Sequence, residues 1–265
     1  MSKLRYVKTA DQIAKARQNN PEFLESSVRS LRYVYETDPA IAAALVPRPL
    51  VADPAGHVCV TFSHVAIHLS PEFTFEIGSA IFGVKVSYEG VSGIYLVTMP
   101  MTTEQAVVPG RETFGEPKKI AAIDFKKDGA RVSCEVTRMG MTYLEGKGTV
   151  GAALGPREFV EYGFCYKAFP ACEKSRAFDG DPLLVRLEWR HKHTGAWKLE
   201  DAEINLYDSP FDPVADVPVR RIVTAEYEEG SAESNGRVLR SIPGEWLEPF
   251  LHQRYDDTSG DGTEV

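Results

Sequence analysis

The sequence predicts an α+β fold that is mainly β. Short segments rich in aromatic and β-branched residues recur along the chain, and turns containing glycine, proline, asparagine or aspartate separate them, which is typical of strands. Helical periodicity is confined to a few short stretches. With 265 residues, of which 43% are hydrophobic, the chain is long enough to bury a large core.

Local signals place the elements of the first half. Residues 11–19 have weak helical character. Asp38 and Pro39 are typical of the N-cap and the first position of a helix, so a short helix is expected at 41–46, and the proline-rich residues 47–49 end it. Strands are expected where β-branched and aromatic residues concentrate, at 28–35, 58–69, 73–88 and 94–101.

The second half is predicted to consist almost entirely of strands. Residues 183–191 and 197–207 are separated by a His-Thr-Gly turn, which predicts a hairpin. Residues 244–255 carry the apolar stripe of a short helix. A single domain is expected over residues 1–255, followed by a disordered acidic tail at 256–265. Further strands are expected at 132–137, 141–150, 163–171 and 219–227.

The composition argues against several classes of function. The net charge of −8 and the pI of about 5.4 disfavour nucleic acid and anionic membranes as partners. No apolar run is long enough to predict a membrane span, and residues 1–20 lack the apolar core of a secretion signal. The four widely spaced cysteines are expected to be free thiols in a reducing cytoplasm. No nucleotide-binding motif or convincing metal-ligand spacing is present, so we expect no cofactor and no metal.

The most informative segment is residues 110–121, where two adjacent lysines, Lys118 and Lys119, follow a Gly/Pro-rich turn. Adjacent ammonium groups repel each other, and apolar surroundings disfavour charge further, so both effects lower a lysine pKa. The uncharged amine can then attack a carbonyl carbon and form a Schiff base. A lysine pair on its own is usually a solvated surface feature, which is what we expect of Lys126 and Lys127.

This segment resembles the lysine motif of the acetoacetate decarboxylase superfamily, in which Gly-Arg-Glu is followed by Pro-Lys-Lys. Those residues are found here at 110–112 and 117–119. Four weaker matches, at 35–50, 75–81, 138–140 and 208–219, lie along the chain in the order that the family has them. The resemblance implies a curved antiparallel sheet that closes into a cone or barrel with a few peripheral helices. It also implies a large homo-oligomer.

The same resemblance implies roles for individual residues. Lys118 would form the Schiff base, and Lys119 would lower its pKa. Glu76 would be the acid/base near the substrate carbonyl. Arg29 is a candidate substrate-binding residue as a replacement for a family arginine. Phe114 is a second candidate, not from the resemblance but because the aromatic content of the chain suggests a pocket for a bulky ketone.

Three positions depart from the family pattern. Thr61 stands where a second glutamate is expected, and Val28 stands at the arginine position. Arg29, one residue further, would face the other side of a strand unless a β-bulge restored the register. Glu116 replaces the usual aromatic residue and would lie on the same side of an extended chain as Lys118. Its carboxylate would either raise the lysine pKa or serve as a proton shuttle.

The sequence therefore predicts a Schiff-base-forming carbon–carbon lyase that acts on a β-keto acid or a related small carbonyl compound. The iminium is an electron sink, so a bond β to the iminium carbon can break and leave an enamine. The alternative is an aldolase, retro-aldolase or aldolase-dehydratase with the same lysine, which Thr61 and Glu116 favour. A third alternative is a non-catalytic protein that binds carbonyl ligands on the same scaffold.

Overall fold

The computed structural model describes residues 4–70, 73–257 and 259–265 of the chain. Within these residues, twelve strands belong to one sheet, and the predicted mainly β fold is confirmed. The strands are β1 (Leu24–Glu36), β2 (Val51–Ala52), β3 (His57–Ser70), β4 (Phe73–Tyr88), β5 (Val91–Met101), β6 (Lys118–Ile120), β7 (Ala122–Asp128), β8 (Arg131–Arg138), β9 (Met141–Ala153), β10 (Arg157–Lys167), β11 (Leu183–Leu206) and β12 (Arg221–Ser241).

The described helices are few and short. They are α1 (Ala10–Asn19), α2 (Pro39–Ala44), α3 (Glu104–Phe114) and the 3₁₀ helices Val214–Asp216, Gly244–Trp246 and Glu248–Gln253. Asp38 caps α2 through a bond from the Ala40 N–H to its carboxylate, as the sequence predicts. Among the described residues, no helix has both the length and the apolar character needed to cross a bilayer.

Seven strands close into a ring in the order β10-β5-β4-β3-β1-β12-β11, and β11 pairs with β10 to complete it. The neighbours are antiparallel except at one seam, where β5 and β10 run parallel. They pair at only two positions, beginning with Ile94 opposite Gly163. Gly93 permits this approach, because a β-carbon there would lie 2.6 Å from the carbonyl oxygen of Tyr162.

Strands β9, β8 and β7 continue the sheet from β11 and cover part of the outside of the ring. Between these layers lies the largest aromatic core of the chain. Tyr35 is fully buried there, and its hydroxyl donates to the carbonyl oxygen of Val217 at 2.9 Å. The other large buried rings of this core are Tyr33, Phe62, Phe82, Tyr143 and Tyr227.

A second apolar cluster fills the inside of the ring, because its members come from β1, β3, β4, β5, β10 and β11. Helix α3 closes one side of this interior with Ala106 and Val107. The strand residues of the cluster are Val34, Cys59, Ile77, Ile94, Leu96, Met99, Met101, Cys165, Val185 and Leu187.

Two regions differ from the sequence prediction. Residues 104–114 form helix α3, although Pro109 and Gly110 lie inside it and made the segment resemble a turn. The hairpin predicted at 183–207 is wrong, because β11 is one continuous strand that bends at a register shift between His193 and Gly195. Extra residues in a bulge use the same turn-forming amino acids as a hairpin, which explains the error.

Candidate active site

The lysine segment is positioned by the end of α3 and by a short parallel pairing. Gly115 ends α3 with a φ of 78°, a conformation that suits glycine, and its N–H bonds to the Arg111 carbonyl. The chain then enters β6, where Lys118 pairs with Met99 of β5. In addition to this pairing with β5, Arg111 holds β6 in place, because its guanidinium donates to the Lys118 carbonyl oxygen at 2.8 Å.

The two adjacent lysines face opposite sides of β6, as successive residues of a strand do. Lys118 lies on the side of Met99, which belongs to the apolar cluster inside the ring. Lys119 lies on the side of Pro100 and lines a cavity together with Phe82. The two lysine side chains therefore lie in separate environments, Lys118 inside the ring and Lys119 on the opposite face of β6.

Inside the ring, Lys118 is paired with Glu116. The Lys118 Nζ lies 2.8 Å from the Glu116 Oε2, and the two side chains are only 13% and 7% exposed. Gly110 forms the wall behind them, because a β-carbon there would lie 2.7 Å from the Lys118 Nζ and closer still to the Glu116 Oε2. An amine and a carboxylate at this distance, largely removed from water, can exchange a proton directly.

On the other side of β6, Lys119 is held in a buried charge network. Its Nζ donates to the Asp212 carboxylate at 2.8 Å and to the Phe211 carbonyl oxygen at 3.1 Å. Arg138 bonds the same Asp212 at 3.0 Å and bonds Asp256 at 2.6 Å. Lys119 thus points away from Lys118 and faces two carboxylates, and its expected effect on Lys118 stays a prediction.

The structure does not bring Glu76 or Arg29 to Lys118. The Glu76 side chain is 70% exposed and lies 3.4 Å from His64, on the opposite face of β4 from the interior residue Ile77. Arg29 is exposed and contacts the same His64 at 3.3 Å. No bulge brings it inward, because the β1–β3 register is unbroken from Ser26 to Glu36.

Phe114 lies at the end of α3, between the lysine segment and β10. It packs against the apolar cluster inside the ring, and its carbonyl oxygen accepts a bond from the buried Cys165 thiol at 3.3 Å. Its ring also lies over Gly236, where a β-carbon would come within 2.7 Å. Of the predicted site residues, Lys118, Glu116 and Phe114 therefore share one region, and Thr61 lies further along the interior on β3.

Further along the ring interior, the charges are paired with one another. Arg32 of β1 reaches Glu161 of β10, although these strands are not neighbours, and bonds both carboxylate oxygens. Burial would raise the pKa of Glu161, but the Arg32 charge and its hydrogen bonds lower it overall. Burial also lowers the pKa of His191 and of His193 to about 4, so both imidazoles are neutral near pH 7.

Two cavities adjoin these groups. A cleft of about 660 Å³ lies between β10 and the β4–β5 hairpin, and its lining includes Arg32, Lys85, Phe159 and Glu161. A smaller cavity of about 160 Å³ lies beside Lys119 and is lined by apolar and polar side chains in equal number. The larger cleft follows from the short seam, because β10 leaves β5 after two paired positions.

Sequence reasoning missed four residues that hold the lysine segment in place although they are distant from it in the sequence. Asp212 and Arg138 lie inside two of the weaker motif matches, at 208–219 and 138–140, and that position was the available signal. Arg254 and Asp256 had no signal at all, because they lie at the border of the expected tail.

Comparison with known proteins supports the same family as the lysine motif. The family model for acetoacetate decarboxylase matches residues 10–241. The acetoacetate decarboxylase of Clostridium beijerinckii is 29% identical over 207 residues, which covers 74% of this chain and 79% of that protein.

Solved structures agree on the fold. An acetoacetate decarboxylase-like enzyme from Sphingomonas wittichii has a TM-score of 0.71 at 17% identity, with 84% of this chain and 95% of that chain covered. The enduracididine biosynthesis enzyme MppR, in complex with the condensation product of pyruvate and imidazole 4-carboxaldehyde, has a TM-score of 0.70 at 16% identity and covers 83% of this chain and 90% of its own. With the family model spanning most of its length, this chain belongs to the acetoacetate decarboxylase family of lyases.

Proposed function

We propose that this protein is a Schiff-base-forming carbon–carbon lyase in which Lys118 is the nucleophile and Glu116 moves the protons. The observation that supports this most directly is the 2.8 Å pair of Lys118 and Glu116 inside the ring. Lys119, by contrast, is tied to Asp212 on the other face and has its donors committed to acceptors there. Lys118 is therefore the amine that can be released for chemistry.

The first half of the reaction makes the iminium. Glu116 takes a proton from the Lys118 ammonium, and the free amine attacks the carbonyl carbon of the substrate. The carbinolamine that forms loses its hydroxyl as water, with Glu116 returning a proton to the leaving oxygen. The product is a protonated iminium between the Lys118 nitrogen and the former carbonyl carbon.

The second half breaks the carbon–carbon bond. The electron pair of the bond between the α-carbon and the carboxylate moves toward the iminium nitrogen, carbon dioxide leaves, and an enamine remains. A proton then adds to the α-carbon, and water hydrolyses the new iminium to a ketone and the free amine. The substrate loses its negative charge in this step, so the apolar surroundings that include Met99 and Cys165 favour it.

A second candidate is an aldol-type reaction through the same iminium. Here Glu116 would take the proton of a β-hydroxyl group, the carbon–carbon bond would break to release an aldehyde, and the same enamine would remain. Two observations favour this candidate: the position of a carboxylate directly at the amine, and the similarity of the fold to MppR, which has been crystallised with a pyruvate–aldehyde condensation product.

Reductive trapping tests the shared intermediate. The protein is incubated with β-keto acids, with pyruvate, and with hydroxyketones, each in the presence of borohydride, and the adduct is mapped by mass spectrometry. We expect a covalent adduct on Lys118, none in Lys118→Ala, and an unchanged yield in Lys127→Ala, whose lysine is exposed. An adduct on Lys119 instead, or no adduct with any member of the panel, would count against the proposal.

The products then separate the two reactions. Decarboxylation releases carbon dioxide from a β-keto acid and needs no aldehyde. Aldol-type cleavage releases an aldehyde from a hydroxyketone, and condensation consumes one. Binding without turnover in a protein that gives no adduct would instead support a non-catalytic role.

We also propose a cytoplasmic homo-oligomer that needs no cofactor. The four cysteines are free thiols, which supports a reducing compartment. Helix α1 has no buried residue in the monomer, and Tyr6 and Val7 before it are exposed, which supports contacts with another copy. Light scattering coupled to size-exclusion chromatography measures the oligomeric state directly, and a monomer would contradict this part of the proposal.

A further inference from the structure

The C-terminal residues Arg254, Tyr255 and Asp256 all contact the segment that carries the two lysines. They follow the last 3₁₀ helix, Glu248–Gln253, and they lie beyond residues 10–241, the part of the chain that matches the family model. Arg254 contacts the lysine segment by a hydrogen bond, Tyr255 by its aromatic face and Asp256 by its charge.

Arg254 joins the lysine segment to the ring. Its guanidinium donates to the Gly115 carbonyl oxygen and, at 2.8 Å, to the Tyr166 carbonyl oxygen of β10. Gly115 already lies against β10 so tightly that a β-carbon would come within 2.5 Å of the Lys167 nitrogen. Arg254 therefore holds together the turn that precedes Glu116 and the strand that carries Cys165.

The ring of Tyr255 lies close to two guanidinium groups. The Arg111 guanidinium is 5.4 Å from the centre of its ring, and that of Arg254 is 5.9 Å from it. Burial and the nearby charge of Arg254 lower the pKa of Arg111, so the two cations need compensation. The aromatic face supplies part of it. Arg111 in turn bonds the Lys118 carbonyl, so Tyr255 acts on the lysine backbone through one intermediate residue.

Asp256 completes the network on the other face of β6. Its carboxylate bonds Arg138 at 2.6 Å and lies 3.4 Å from the Lys119 Nζ. It thereby adds a second negative charge beside Asp212 to balance two buried cations. The hydrogen bonds from Arg138 and, to a smaller extent, the charge of Lys119 lower the pKa of Asp256.

We propose that Arg254, Tyr255 and Asp256 are positioning residues that hold β6 so that Lys118 and Glu116 face the ring interior at reacting distance. Arg254 fixes the turn before Glu116, Tyr255 supports Arg111, and Asp256 holds Lys119 on the outer face. The proposal rests on the proposed function, because it assigns these residues to the chemistry of Lys118. It adds a chain segment outside the family match to the machinery of the site.

The test compares Arg254→Leu, Tyr255→Leu and Asp256→Asn with the wild type and with the matched control Asp257→Asn. Asp257 is the next carboxylate along the chain, and its described contacts are with His252 and Ser259 rather than the lysine segment. Hydrogen exchange of peptides covering residues 111–121 is measured by mass spectrometry. Borohydride trapping rate, kcat and KM are measured on the most reactive substrate of the panel.

We expect exchange in residues 111–121 to be faster by about tenfold or more in the three variants, with the rest of the ring unchanged. Trapping and kcat should fall by about tenfold to a hundredfold with KM nearly constant, because displacing a reacting group by about 1 Å costs on the order of a hundredfold. The control should match the wild type in all measurements.

The outcomes separate this proposal from the proposed function. Unchanged exchange and unchanged trapping in folded variants would overturn the positioning role and leave the Schiff base intact. Faster exchange confined to residues 111–121, in a protein that traps no substrate even as wild type, would support the positioning and overturn the proposed chemistry. If Arg254→Leu fails to fold, Asp256→Asn provides the comparison, since its side chain is 32% exposed.

Discussion

Gly110→Ala perturbs the Lys118–Glu116 pair without removing any functional group. The new β-carbon would lie 2.7 Å from the Lys118 Nζ and Cδ, whereas nonbonded carbon contacts lie near 3.5–4.0 Å. The pair must therefore move by roughly 1 Å, and a displacement of this size costs on the order of a hundredfold in rate. We expect kcat to fall by that factor.

The same substitution should change stability far less. The clashing atoms are the ends of two flexible side chains, which can move aside, so the overpacking cost is at the low end of about 1–3 kcal/mol. Replacing glycine by alanine inside α3 returns about 1 kcal/mol of helix propensity. The midpoint of thermal unfolding should thus shift by no more than about 4 °C.

The assays are steady-state kcat and single-turnover borohydride trapping on Lys118, measured in parallel with thermal unfolding. Gly180→Ala is the matched control, because a β-carbon at Gly180 has open space around it. A folded Gly110→Ala protein that traps substrate as fast as the wild type would refute the assignment of Lys118 and Glu116 as the reacting pair. A large loss of stability would instead show that the pair cannot move aside as argued.

Three further predictions follow from the charges. Glu116→Gln should lower kcat by about a hundredfold or more, because the proton acceptor at 2.8 Å is lost; an unchanged kcat would contradict its role. Asp212→Asn should destabilise the fold by about 3–5 kcal/mol in urea unfolding, because it leaves two buried cations undercompensated, and a loss below about 1 kcal/mol would contradict this. His191 and His193 bind protons in the unfolded chain below about pH 6.5 but in the folded protein only near pH 4. Their contribution to the free energy of unfolding should therefore be complete above pH 6.5 and be lost as the pH falls toward 4. In urea unfolding, the double variant His191→Gln/His193→Gln should show a smaller loss of stability over this pH range.

The sequence was informative where local chemistry decides the structure. Asp38 and Pro39 predicted the start of α2, and the concentration of aromatic and β-branched residues in β4 predicted its bounds, 73–88, without error. Helix α3 was missed because Pro109 and Gly110 lower helix propensity, while its stability comes from packing Ala106 and Val107 against the ring. Local propensity contains no information about such a partner surface.

The candidate site shows the same division. Strand geometry correctly placed Glu116 and Lys118 on one side of the chain, because the argument needs only two neighbouring residues. The partner of Lys119 is Asp212, which lies 93 residues away, and no spacing rule connects them. Glu76 was assigned from the resemblance alone, whereas its alternation with Ile77 already indicated that it faces away from the interior.

The short parallel contact between β5 and β10 makes the ring uneven in strength. Two paired positions hold this boundary, while each of the other ring boundaries has eight or more. Backbone opening costs least where the fewest hydrogen bonds must break, so fluctuations of the ring should concentrate here, next to the 660 Å³ cleft. The boundary between β5 and β10 is therefore where the ring opens most easily, and a small reactant could pass through it to the interior while the remaining six boundaries stay paired.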